Sequence, residues 1–244
     1  MTRHATAERT FVRLTLNQRI QHIVLAVSIG LLVITGFMVE SEQWMIDSLG
    51  SAGNTVFWWR GIIHRIAGVA AILVCLYHMY YIALTAEGRR WISDIRPRWQ
   101  DAVDAYQNLN YMLGRRADKP PMGRFTYLEK MEYFSVWFGM FIVIVTGIML
   151  WTEELWPKFF LDVANAFHLG ESTLAALAII VGHMFSVHYG PHTYPMNYAF
   201  IDGKISESLM KEEHPLWYEA EVARLAGEDI NPSRVPEGVV SEPA

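Results

Sequence analysis

Cysteine is almost missing: Cys75 is the only one in 244 residues. A disulfide within the chain, a cysteine-ligated iron–sulfur cluster and covalent haem attachment through Cys-x-x-Cys-His all need more, so all three are excluded. Cys75 itself reads as a small packing residue. Charge is scarce as well. Asp, Glu, Lys and Arg make up 18% of the chain against 52% hydrophobic residues. The mean hydropathy of +0.16 is too apolar for an ordinary soluble domain of this size. Basic residues are missing from two particular stretches. Residues 40–59 hold Glu40, Glu42 and Asp47 with no Lys or Arg, and residues 152–164 hold Lys158 alone against three acids.

The apolar residues gather in four runs, 20–39, 61–84, 133–151 and 165–187, each near the ~20 residues that span a bilayer core of ~30 Å. Four transmembrane helices are expected. The first run follows an arginine-bearing segment and has no small-residue cleavage site behind it, so it reads as a retained span, not as a signal peptide. Basic residues concentrate where the other two connections lack them. Arg3, Arg9, Arg13 and Arg19 precede the first run, and Arg89, Arg90, Arg96, Arg98, Arg115, Arg116, Lys119, Arg124 and Lys130 lie in 85–132. Positively charged loops stay in the cytoplasm, so both termini and the central connection are expected there. The expected organisation is an N-terminal segment 1–19, a four-helix membrane domain 20–205 with the cytoplasmic connection 85–132, and a cytoplasmic tail 206–244.

The spans carry histidines. His64 and His78 are fourteen residues apart, which on a helix means about 21 Å of rise and about 40° of azimuth. They share a face at two depths. The fourth run repeats this with His168 and His183, and His22 falls at the inner level at the start of the first run. Thr-Gly recurs near the outer ends of the first and third runs, at Thr35 and Thr146, 111 residues apart, while His64 to His168 are offset by 104 and His78 to His183 by 105. The chain thus reads as two related helical hairpins with a site at their interface. An ionisable group inside a membrane is costly and marks function. Axial imidazoles on the two sides of a b haem lodged between bundle helices suit two levels of facing histidines. Gly30, Gly36, Gly61, Gly68, Gly139, Gly147 and Gly182 are candidates for close porphyrin approach. Histidines bonded across the bundle for packing are the simpler alternative. A transporter or channel that binds metal or relays protons is another, although a zinc site would gather its ligands at one depth.

The stretches RIQHIVLAVSIGLLVITGF, WWRGIIHRIAG, TYLEKMEYFSVWFGMFIVIVTGIMLW and FHLGESTLAALAIIVGHMF resemble the dihaem cytochrome b subunits of respiratory formate dehydrogenases and membrane-bound nickel–iron hydrogenases. These are four-helix, cytochrome b561-like proteins, and the resemblance covers about residues 15–205. It implies an all-α integral membrane four-helix bundle binding haem b (heme b) between its helices in the bacterial inner membrane. Electrons would pass between the quinone pool and a partner redox subunit, one carrying iron–sulfur clusters or c haems, through two stacked b haems. Quinone is then a substrate, lipid a neighbour, and no nucleic acid is involved. By the resemblance His64 and His168 hold the outer haem, and His22 and His183 the inner one. The sequence departs from that pattern in also having His78. Repeat symmetry pairs His78 with His183, as in quinol-oxidising cytochrome b of the bc type, so His22 and His78 both stand as inner ligands, and a third haem remains an alternative. A stand-alone transmembrane reductase keeps the haems without the partner.

Around these ligands, Arg19, Arg60 and Arg65 sit near helix ends, where guanidinium groups pair with propionates or snorkel to the interface. Glu171, one turn from His168, suggests a propionate neighbour, a proton site or a hydrogen bond to the ligand. If quinone reacts near the inner haem, as the resemblance implies, His22, His78, Tyr77, Tyr80 and His188 are pocket candidates, with His188 and His192 near the inner level. Residues 91–113 suggest an amphipathic helix after Pro97, ending at Gly114, on the cytoplasmic face. The stretch EEHPLWYEAEVARL has an apolar character that suits docking to a soluble subunit.

Overall fold

The computed structural model describes residues 8–190 and 193–227. Its helices are α1 (Leu16–Phe37), α2 (Glu42–Leu49), α3 (Ser51–Leu84), α4 (Ala86–Ile95), α5 (Trp99–Met112), α6 (Tyr127–Trp151), α7 (Lys158–Leu177), α8 (Met184–Tyr189), α9 (Ala199–Asp202), α10 (Glu207–Glu213) and α11 (Pro215–Ala226). A π-helical turn, Ala178–His183, joins α7 to α8. Two short strands, β1 (Thr10–Val12) and β2 (Lys204–Ser206), pair antiparallel with Phe11 opposite Ile205. Four stretches are long and apolar enough to cross a membrane: Leu16–Leu49, Ser51–Leu84, Tyr127–Trp151 and Lys158–Tyr189. They contain the four apolar runs and exceed them. Polar residues extend these stretches beyond the apolar runs, and within the first a 3-10 turn, Met38–Ser41, separates α1 from α2.

The chain forms two compact units. One comprises 15–80 and 136–200 and contains most of the apolar helices. Its burial pattern is that of a protein solvated by lipid. Gln18, Gln21, Ser28, Thr35 and Thr146 are buried together with Ala67, Ala71, Ala164 and Ala176, while Val27, Ile66, Leu73, Phe138, Phe141, Val181 and Phe185 are exposed. Small and polar side chains face one another because hydrocarbon would leave their polar groups unpartnered. Helix α1 starts at a capping box, in which the Thr15 hydroxyl accepts from the Gln18 amide and the Thr15 amide donates to Gln18 Oε1 at 3.0 Å.

The π turn in the fourth span answers a feature of the sequence. His168 and His183 are fifteen residues apart, against fourteen for His64 and His78. A π turn closes i to i+5 instead of i to i+4 and so absorbs one residue without breaking the helix.

The other unit comprises 1–14, 81–135 and 201–244, of which 8–14, 81–135 and 201–227 are described. Phe11, Ile205, Met210 and Trp217 form its core. Arg13 runs through the centre. Its guanidinium lies over the rings of Phe125 and Trp217 at 4.8 and 5.1 Å, donates to Glu129 at 2.6 Å and also bonds the Arg124 carbonyl. Arg124 in turn pairs with buried Asp94 at 2.9 Å. Burial pushes the Asp94 carboxyl up against the opposing pull of Arg124. His214 Nδ1 is 2.8 Å from the Gly123 carbonyl, an acceptor, so Nδ1 carries the proton. Burial, followed by the Arg13 charge, holds His214 down at about 4.

The amphipathic segment expected over 91–113 is divided. Arg96 adopts ψ 140, as a residue before proline must, and α4 stops there before α5 begins at Trp99. Helix α5 ends as expected at Gly114, whose φ of +69 allows the amides of Gly114 and Arg115 to reach the Tyr111 and Asn110 carbonyls. Its polar side faces its own unit, through Asp101 to Lys130 at 2.7 Å and Asn108 to Tyr127 at 3.0 Å, while Trp99, Tyr106, Leu109 and Met112 are exposed. The tail also differs from expectation. Residues 207–226 fold as α10 and α11, and Met210 and Trp217 are buried in the unit's own core. Within the stretch read as a docking surface, Trp217 and Ala220 are buried in this unit while Leu225 is exposed. Residues 228–244 and His192 lie outside the described residues.

Candidate functional site

Two pairs of imidazoles face each other in the unit that holds the apolar helices. His64 on α3 and His168 on α7 have ring centroids 6.4 Å apart at an interplanar angle of 64°. His22 on α1 and His183, the last residue of the π turn, have centroids 6.2 Å apart at 50°. A metal–imidazole bond of about 2 Å on each side, plus roughly 1 Å from ring centre to nitrogen, puts two collinear axial imidazoles about 6 Å apart. Both pairs stand at that separation. Among the described residues no group of three or more His, Cys, Asp or Glu side chains gathers as a metal site, so the donor sets are two-imidazole sets suited to axial ligation and not tetrahedral ones.

His78 occupies a different place. Its Nδ1 is 2.6 Å from Gln21 Oε1, an acceptor, so Nδ1 donates. Gln21 Nε2 donates to Asn17 Oδ1 at 2.8 Å, and Asn17 Nδ2 donates to the Tyr77 hydroxyl at 3.0 Å. The His78 ring also lies 5.6 Å from Trp137. His22 instead packs against Phe200 at 5.8 Å. Of the two histidines that the sequence left competing for His183, the His22 ring lies 6.2 Å from it, and the His78 ring lies against Trp137.

The outer pair is anchored by the repeated Thr-Gly. Thr35 Oγ1 is 2.8 Å from His64 Nδ1, and Thr146 Oγ1 is 3.0 Å from His168 Nδ1. A Cβ on Gly147 would meet His168 Cε1 at 3.2 Å, so this glycine leaves the ring edge room, whereas one on Gly36 would meet His64 Cε1 at an ordinary 3.8 Å. Sequence reasoning recorded this repeat without linking it to the histidines. The signal was the offset, 111 for the threonines against 104 for His64 and His168, which keeps each Thr-Gly at the depth of one outer histidine.

The expected propionate partners are arranged as follows. Arg60 Nη1 donates to the Thr35 carbonyl at 2.9 Å, and its buried Nε has no partner among the described residues. Arg65 lies over Trp151 at 5.6 Å. Arg19 stands in the first turn of α1, three residues before His22. Glu171 reaches close to α6, where a Cβ on Gly139 would come within 2.5 Å of its Oε1. Tyr77 and Tyr80 pack together at 6.1 Å, and His188 Nδ1 is 3.4 Å from the Pro195 carbonyl. The facing imidazoles and the orphaned Arg60 Nε fit a b-type haem.

The family model for prokaryotic cytochrome b561 matches residues 13–194. The chain belongs to the prokaryotic cytochrome b561 family. It is therefore an all-α multi-pass membrane cytochrome of the b type. It is similar to the formate dehydrogenase cytochrome b556(fdo) subunit of Escherichia coli K12, 22% identical over 215 residues that cover 86% of this chain and 92% of that protein. The nitrate-inducible formate dehydrogenase cytochrome b556(Fdn) subunit of the same strain is 22% identical over 215 residues, 86% of this chain and 91% of the relative. The formate dehydrogenase cytochrome b556 subunit of Haemophilus influenzae is 22% identical over 214 residues, 87% of this chain and 84% of the relative. All three matches cover most of both chains.

Proposed function

We propose that this cytochrome is the membrane subunit of a respiratory complex and links the quinone pool to a partner redox subunit. The observation that carries the reading is the pair of imidazole separations, 6.4 and 6.2 Å, at two positions along one helical span. His64 and His168 hold one b haem and His22 and His183 a second. Haem b supplies one-electron exchange between ferric and ferrous iron when bound. The chain's own residues supply ligation, spacing and charge. Arg60 offers its buried Nε to a propionate, and Arg19 and Arg65 stand near helix ends for the same purpose. His78 is not a ligand in this reading. With Gln21, Asn17 and Tyr77 it forms a polar group beside the inner pair, where quinone and its protons are handled.

The names of the relatives support a partner of the dehydrogenase kind, one carrying iron–sulfur clusters or c haems. The basic residues of 85–132 support a cytoplasmic location for that connection and for both termini, with residues 20–205 as the membrane domain. The test is the purified protein's haem content by acid–acetone extraction and pyridine haemochrome assay, followed by reduction with a short-chain quinol. Two extractable b haems per chain, reducible by the quinol, are expected. One haem or none per fully loaded chain, or haems that quinol leaves oxidised, would overturn the reading.

A further inference from the structure

Threonine has one hydroxyl proton. Thr35 Oγ1 lies 2.6 Å from the Leu31 carbonyl and 3.3 Å from that of Leu32, and Thr146 Oγ1 lies 2.7 Å from the Ile142 carbonyl and 3.4 Å from that of Val143. Carbonyl oxygens only accept, and two oxygens at such distances repel unless a proton lies between them, so each hydroxyl proton is committed to its own helix. The hydroxyl oxygen then has only lone pairs for the imidazole. The contacts to His64 Nδ1 at 2.8 Å and His168 Nδ1 at 3.0 Å must therefore be made by Nδ1–H donating to Oγ1. Nε2 is left as the unprotonated nitrogen on both rings. The two Nε2 atoms, in rings that face each other at 6.4 Å, are thereby the nitrogens with a lone pair available to a Lewis acid.

We propose that Thr35 and Thr146 are positioning residues that hold both outer histidines in the Nδ1–H tautomer and set the donor strength of their Nε2 atoms. The proposal rests on the reading that His64 and His168 are haem ligands. Each threonine is fixed well enough for the task. Both are buried, at 4% and 8% exposure, and the Thr35 carbonyl also accepts from Arg60. Each link is a chain of two hydrogen bonds, N–H to O–H to C=O, in which each bond polarises the next. An acceptor on Nδ1–H makes the imidazole a stronger base, which favours ferric over ferrous iron and lowers the midpoint potential of the outer haem. The recurrence of threonine is explained because it supplies the acceptor in both halves, and Gly147 leaves room for the His168 ring.

The test compares Thr35→Val and Thr146→Val with Thr35→Ser and Thr146→Ser in the full-length protein, by potentiometric titration followed by absorbance and electron paramagnetic resonance. Valine keeps the shape and removes the acceptor, while serine keeps the acceptor. Each valine variant is expected to retain both haems and to raise one midpoint, a tenfold change in ferric over ferrous preference reading as 59 mV for a one-electron couple. The serine variants are expected to stay at the parent value. Where a valine variant does not accumulate, the alanine variant at the same site carries the comparison. Unchanged midpoints without the hydroxyl, or serine variants that shift as far as valine, would overturn the proposal. The ligand reading fails separately, if His168→Ala keeps the full low-spin signal of both haems.

Discussion

Replacing His22 and His78 one at a time separates two roles that lie at the same depth. The His22 ring faces His183 at 6.2 Å, so on the proposed ligation His22→Ala is expected to remove one of two axial donors and to halve the haem content, from two per chain to one. Any haem retained there loses its bis-imidazole field and turns high-spin. The His78 ring faces Trp137, and its Nδ1 donates to Gln21. His78→Ala therefore costs the one buried hydrogen bond, about 1 kcal/mol, plus the packing of the ring. Both haems remain, and quinone turnover falls. The assay is the ratio of pyridine haemochrome to protein, together with the number of low-spin signals in electron paramagnetic resonance. A His78→Ala protein with one haem, beside a His22→Ala protein with two, would refute the geometric argument. Loss of a separate low-spin signal in each variant would refute the two-haem arrangement and require a third.

Three further outcomes concern the chain outside the haem ligands. His214 is held at about 4, below its ordinary 6.5, so the unfolded chain takes up the proton first as pH falls; its contribution is intact above 6.5 and is lost between 6.5 and about 4. The loss is at most about 3 kcal/mol, and protease sensitivity of the 206–226 segment should rise over that window. His214→Gln should flatten the dependence, and an unchanged slope would count against it. A Cβ on Gly88 would stand 2.0 Å from the Tyr81 carbonyl oxygen, a backbone atom that cannot step aside, so Gly88→Ala should lower thermal stability by several degrees. Melting at the parent temperature would refute that. A C-terminal reporter active only in the periplasm should stay silent, and strong activity would reverse the proposed orientation.

The four spans were legible because hydrocarbon demands a long apolar run, and the outer pair because His64 and His168 sit at matched depths in the two halves. The inner pair was legible only in depth. Hydropathy and rise place His22, His78 and His183 at one level, but which rings face each other depends on how the helices pack and on a π turn that absorbs one residue. The link between Thr35 and His64 was hidden for a related reason. It depends on a threonine rotamer that bonds the carbonyl four residues back, and composition does not report that. The strand pair joining Phe11 to Ile205 has three residues on each side and no measurable period, so nothing local announced it. Pro97 and Gly114 were read correctly because their backbone restrictions are intrinsic.

The facing pairs are nested in the chain: His22 with His183 encloses His64 with His168. Both close on the last span to be synthesised. A nascent chain with three spans in the membrane already carries His22, His64 and His78, yet it has neither facing partner. On the proposed ligation haem capture has to wait until the stretch Lys158–Tyr189 has inserted, and a chain that stops before Lys158 leaves three membrane helices in place with neither pair complete.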